Sequence, residues 1–151
     1  MPVDVSRLRN PRRDWALVGA AGPLMNVLLA VLLCAVLSLL VHGGLLGPSS
    51  VGTEVLAVGI FVNILLAVFN LVPIPPLDGS RVVQYFLSGH VLVACRRLER
   101  FGLLLIVVLI LFVPSVQIVL FETMLAVLAI LADAFGLSPE LTFVLRRLLV
   151  G

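Results

Sequence analysis

From residue 15 to residue 41 the chain runs for 27 residues without one charged side chain. About 20 apolar residues suffice to cross the hydrocarbon core of a bilayer. There the backbone must satisfy its own polar groups, which leaves a helix as the form open to an isolated run of this kind. Two further runs, 55–72 and 101–121, are equally free of charge. The chain is 12% charged and 62% hydrophobic, against about 25% charged residues in an ordinary soluble domain. These features predict an all-α integral membrane protein, a bundle of three transmembrane helices over 15–41, 55–72 and 101–121. The first run has length to spare for tilt. No internal repeat or linker divides residues 1–151, which read as one membrane domain.

The charges between the runs predict the topology. Residues 1–14 carry four arginines with Pro2 and Pro11 and read as a cytoplasmic lead-in, followed by Trp15 at the depth of an interfacial aromatic. Arg81, Arg96, Arg97 and Arg100, with Glu99, put segment 80–100 at the same side, as two crossings require. His42 and the glycines, Pro48 and serines that follow mark the intervening loop. Glu122 interrupts the apolar pattern, so residues 122–151 read as short or interfacial helices. Arg146 and Arg147 leave a fourth crossing open. No secretory signal peptide is expected, because the first apolar run is too long and lacks a small-residue cleavage site. The net charge of +2 is too small to suggest a nucleic-acid partner. Cys34 and Cys95 read as small apolar fillers rather than a disulfide or thiolate site. His42 and His90 read as loop and short-helix histidines, since neither begins an HExxH pair.

Segment 69–81, Phe-Asn-Leu-Val-Pro-Ile-Pro-Pro-Leu-Asp-Gly-Ser-Arg, breaks the apolar pattern. Pro73, Pro75 and Pro76 remove backbone donors and force an extended or broken path. Irregular backbone survives at membrane depth only when buried in protein or lining a wet cavity. Asp78 lies at this break, where a carboxylate costs about 2.5–3.5 kcal/mol on insertion scales. A bound cation would offset that cost, and zinc accepts carboxylate oxygen. Gly79 permits a close backbone approach. Asn63 and Asn70 stand seven residues apart on one helical face; Asn63 reads as a packing contact between helices, and Asn70 as a group able to orient the site or donate to a substrate carbonyl. Upstream, Gly22, Pro23 and Asn26 combine a packing notch, a kink or helix start, and a polar group that needs a partner. Chemistry alone leaves two readings of the segment: an ion or substrate site in a membrane cavity, or a structural elbow.

Asn70-Leu71-Val72-Pro73-Ile74-Pro75-Pro76-Leu77-Asp78-Gly79 closely resembles the NxxPxPxxDG signature of site-2-type intramembrane zinc metalloproteases, peptidase M50. Asn10-Pro11-Arg12-Arg13-Asp14 and Ala21-Gly22-Pro23-Leu24-Met25-Asn26 resemble that family's NPxxD and AGPxxN segments, so the resemblance covers roughly residues 2–110. It implies regulated proteolysis of membrane-embedded substrates, with zinc held by two histidines of an HExxH helix and by Asp78. The HExxH glutamate would be the general base, with Asn70 assisting. Gly22, Pro23, Asn26, Pro73, Pro75 and Gly79 would frame the cavity. Implied partners are the bilayer and transmembrane protein substrates or a partner subunit; the implied location is a bacterial inner membrane with a cytoplasmic N-terminus. No HExxH occurs in the chain. The reading is therefore a C-terminal portion of such a protease, a truncated form inactive alone. Its alternatives are a non-catalytic relic or binding subunit of the same fold and, more remotely, a small carrier component with Asp78 as its ion site. No PDZ- or CBS-like regulatory domain is seen.

Overall fold

The computed structural model describes residues 10–150, so most of the arginine-bearing lead-in lies outside the described residues. Seven α-helices follow in order: α1 Pro11–His42, α2 Val51–Leu71, α3 Asp78–Phe86, α4 Gly89–Leu98, α5 Gly102–Phe112, α6 Pro114–Phe135 and α7 Ser138–Val150. A 3-10 turn, Glu99–Phe101, leads into α5. No strand occurs among the described residues. Among the described residues three helices are long and apolar enough to cross a membrane: Arg13–His42 within α1, Val51–Leu71 and Pro114–Phe135. The protein is an all-α membrane protein, as the charge-free runs predict.

The helix ends follow local chemistry. Pro11 opens α1, where its missing N–H is one of the donors a helix leaves free. The Asp14 N–H makes the first helical bond, to Asn10 O at 2.9 Å, while Asp14 Oδ2 reaches back to accept from the Asn10 N–H at 3.2 Å. The NPxxD pattern is thus a helix start, and Pro23 lies buried inside a continuous α1 rather than beginning it. Ser50 Oγ accepts from the Thr53 N–H at 3.2 Å, capping α2, while buried Thr53 donates from Oγ1 to Gly47 O at 2.8 Å. At the close of α6, Gly136 takes φ +65° and the Leu137 N–H reaches Ala132 O at 2.7 Å, a Schellman ending.

The third crossing departs from the expected boundary. Residues 101–121 do not form one helix: α5 has 11 residues, Val113 leaves helical geometry at φ −116°, ψ 91°, and Pro114 begins α6. The third spanning-length helix is therefore α6, and it runs through Glu122, where the charge pattern suggested an interruption. A carboxylate leaves the backbone ladder intact, whereas proline removes a donor and clashes with the preceding turn. Gln117 Nε2 donates back to Ile110 O and serves a carbonyl that the break sets free.

The chain divides into two compact units, Met1–Leu24 with Ala67–Leu120, and Met25–Leu66 with Phe121–Gly151. The second unit buries Ala30, Cys34 and Leu37 of α1, Ala57, Ile60 and Ile64 of α2, and Met124, Leu128 and Ala132 of α6. Each set recurs every three or four residues, the spacing of a single helical face. At Gly59 a Cβ would lie 3.2 Å from Leu33 Cδ1, so α1 and α2 approach over a small residue. Asn63 Nδ2 donates to Gly59 O within its own helix at 2.8 Å, not across helices as its packing reading supposed. Ser38 Oγ donates to Phe135 O at 2.8 Å and joins the C-terminal ends of α1 and α6. The α7 segment, 13 residues, falls short of the roughly 20 needed to cross. It buries Leu141 and Val144, with Leu137 just before it, and its Arg147 pairs with Glu54 at the start of α2. In this unit Arg147 thus marks the end where α2 begins and α6 finishes.

Candidate intramembrane carboxylate site

The site belongs wholly to the first unit and is built on glycine. Helix α2 stops at Leu71, because Pro73 cannot continue it and restricts the residue before it. Residues 72–77 carry no regular structure, with a cis bond between Pro75 and Pro76. Pro75 is buried while Pro73 and Pro76 are exposed. Helix α3 then opens on Asp78, at the end where a helix dipole favours a carboxylate.

Four glycines draw other segments onto this corner. A Cβ at buried Gly79 would collide with the Leu71 carbonyl oxygen and lie 2.7 Å from Val72 O, so the start of α3 rests on the exit of α2. A Cβ at Gly22 would lie 2.7 Å from Asp78 Oδ2, and one at Gly19 would lie 2.8 Å from Asp78 O and from Arg81 Cβ. Real Cβ atoms are not found so close, so α1 meets α3 here only because both positions lack a side chain. A Cβ at Gly102, the first residue of α5, would press on the Pro76 ring and lie 2.7 Å from Pro75 O.

The charge of Asp78 is met inside the chain. Arg81 Nη1 stands 3.5 Å from Asp78 Oδ1, with both side chains about 30% exposed. The same guanidinium lies over the Trp15 ring, Cζ 4.6 Å from its centroid, within cation–π range. Trp15, Gly19 and Gly22 are spaced four and three apart on α1, hence one face, and that face receives Arg81, the start of α3 and the Asp78 carboxylate in turn.

Of the residues singled out from sequence, the structure brings Gly22, Asp78 and Gly79 together, and sets Pro75 against the start of α5. Asn70 is half-buried in the last turn of α2, and its side-chain amide makes no hydrogen bond among the described residues. Asn26 is half-buried on the stretch of α1 that belongs to the other unit. Gly19, Arg81, Trp15 and Gly102 also make contacts at the corner, which the sequence reading does not foresee. The three-residue spacing of Asp78 and Arg81 was a usable signal; the partners of the glycines, far away in sequence, were not.

Taken alone, these residues do not fit a zinc centre. Among the described residues no group of three His, Cys, Asp or Glu side chains comes together, and a zinc site takes at least three protein ligands. His42 Nδ1 bonds to Ser38 O at 2.8 Å in the other unit, and His90 lies in the first turn of α4, exposed.

Comparison with known proteins agrees with the motifs. Residues 48–113 match the family model described as Peptidase family M50, a span that holds 70–79 and begins after Asn26. The chain is 35% identical over 113 residues to "Putative zinc metalloprotease YwhC" of Bacillus subtilis, covering 72% of this chain and 52% of that protein. It is 37% identical over 68 residues to "Putative zinc metalloprotease MJ0611" of Methanocaldococcus jannaschii, covering 45% of this chain and 32% of that protein. The chain thus spans about half the length of the first and about a third of the second. No solved structure matches it. The resemblance to the site-2-type zinc metalloproteases is borne out.

Proposed function

With residues 48–113 a region of peptidase family M50, we propose that this chain supplies the carboxylate-bearing wall of an intramembrane peptidase centre. Asp78 would offer the carboxylate ligand and Asn70, free of other bonds, an amide for a substrate carbonyl. Gly22, Pro23, Pro73, Pro75 and Gly79 would shape the surrounding cavity. The extended backbone at 72–77 suits an unwound substrate segment, which can pair with it as a strand. Bound there, zinc would supply a Lewis acid and an acidified water. The histidines and general base of such a centre are not among these 151 residues, so no hydrolytic step is assigned to this chain by itself. Its setting would be a bacterial inner membrane with the N-terminus cytoplasmic, in keeping with the arginines on segments 1–14 and 80–100. Its substrates would be membrane-spanning segments of other proteins.

One observation carries the reading: two motifs more than fifty residues apart meet, Gly22 leaving just the room that Asp78 Oδ2 fills. A second reading, a non-catalytic binding subunit of the same fold, draws support from Arg81, which neutralises Asp78 without any metal. Zinc analysis of the purified chain, with and without a co-expressed HExxH helix, tests both. The peptidase reading expects stoichiometric zinc and cleavage of a membrane-anchored reporter once the helix is supplied, with both lost in Asp78→Asn. Zinc retained in Asp78→Asn sinks the assignment. Reporter capture without zinc or cleavage, helix present, selects the binding subunit.

A further inference from the structure

Helix α4 has two unlike faces. Leu92 is buried, Cys95 is half-buried, and Glu99 follows in the next turn. Spacings of three and four put these on one side, and there buried Gln84 donates from Nε2 to Glu99 Oε1 at 2.9 Å. The other side is open. His90, Val93, Ala94, Arg97, Leu98 and Phe101 line an exposed groove of about 480 Å³.

Glu99 is the only acid between residues 89 and 101, and its exposed carboxylate accepts from Gln84. Among the residues lining the groove, Arg97 is the charged one, with exposed Arg100 close behind it in sequence. Its floor is apolar and uncovered: Val93 is 49%, Leu98 45% and Phe101 63% exposed. Just before α4, Tyr85 and Phe86 form an edge-to-face pair with centroids 5.1 Å apart. Phe86 is 77% exposed, the behaviour of an aromatic at a membrane interface. A short helix with arginine on one rim and bare aliphatic and aromatic surface beneath is built to lie in the headgroup region. Charge complementarity selects the occupant. Arginine's planar fork matches phosphate oxygens, and the floor beneath it accepts the apolar part of the same molecule.

We propose that the outer face of α4 binds an anionic phospholipid, Arg97 holding the headgroup phosphate and Val93, Leu98 and Phe101 seating the adjoining apolar part. The full chain in nanodiscs of phosphatidylcholine, with or without phosphatidylglycerol, provides the test by native mass spectrometry of retained lipid. The wild-type chain should retain phosphatidylglycerol over phosphatidylcholine. Arg97→Gln should lower that preference roughly fivefold, the worth of one arginine at an anionic surface. Arg97→Lys should keep part of it, and Phe101→Ser should weaken retention of both lipids. Arg146→Gln, in α7, should change nothing. The proposal is overturned by equal retention of the two lipids in the wild-type chain, or by an undiminished preference in Arg97→Gln. Full displacement of the lipid by millimolar inorganic phosphate overturns it as well, since the groove would then read phosphate alone.

Discussion

Gly79 and Gly22 both exclude a Cβ, yet what they exclude it from differs. At Gly79 the obstacle is the carbonyl end of Leu71 and the Val72 oxygen, backbone that cannot yield without moving the end of α2. Gly79→Ala should therefore destabilise the protein by about 1–3 kcal/mol, the usual range for overpacking, seen as a lower Tm in detergent. At Gly22 the obstacle is Asp78 Oδ2, the far end of a side chain that can turn. Gly22→Ala should cost less than about 1 kcal/mol while driving the carboxylate off its position. In an assembly complete with an HExxH helix it should thus lower zinc occupancy more than Tm. Equal loss of Tm in the two variants would contradict this division. Asp78, Gly79 and Gly22 were legible because they stand in recognisable patterns. In the sequence Trp15 and Arg81 are only markers of the interface; the stacking of the Arg81 guanidinium on the Trp15 ring emerges once α1 and α3 are packed side by side.

At the level of helices, two kinds of punctuation compete in this chain. Charges record where the chain expects water, and prolines record where the backbone ladder must end. The first two spanning helices were legible because their charge-free runs coincide with unbroken backbone. The third was not, since Pro114 sits inside a charge-free run and Glu122 inside a continuous helix. The break is stabilised by Gln117, whose amide reaches the Ile110 carbonyl. Gln117→Leu should leave that oxygen unserved and cost about 1–2 kcal/mol, whereas Gln117→Glu would put a charge in its place and cost more. Pro114→Ala should let helical hydrogen bonds grow across Val113, read as slower amide exchange over residues 112–117. Unchanged exchange there would assign the break to tertiary packing instead of to the proline.

Across the whole chain, topology offers the clearest test. In the second unit, the Glu54–Arg147 pair and the Ser38–Phe135 bond gather the loop at 43–50, the close of α6 and the end of α7 at one end. With Cys34 and Cys95 replaced, cysteines introduced as Ser49→Cys and Arg146→Cys should react with an impermeant maleimide from the same side of a sealed vesicle. Arg13→Cys, at the opposite end of the α1 spanning segment, should react from the other side. Labelling of Arg146→Cys together with Arg13→Cys would restore the fourth crossing that the paired arginines first suggested.

The division into two units has a practical corollary for dissecting the protein. The chain passes from one unit to the other between residues 24 and 25, 66 and 67, and 120 and 121, each time inside a helix, α1, α2 or α6. No contiguous piece of the sequence consists of either unit alone. Expression of residues 48–113, the stretch that carries the family match, would sever Asp78 from Gly19 and Gly22 and leave the carboxylate corner without a wall. A minimal version of the first unit would need residues 10–24 stitched by a designed linker to residues 67–120. A C-terminal truncation that passes residue 120, or an N-terminal one that passes residue 24, would damage both units at once and blur which of them a lost activity belongs to.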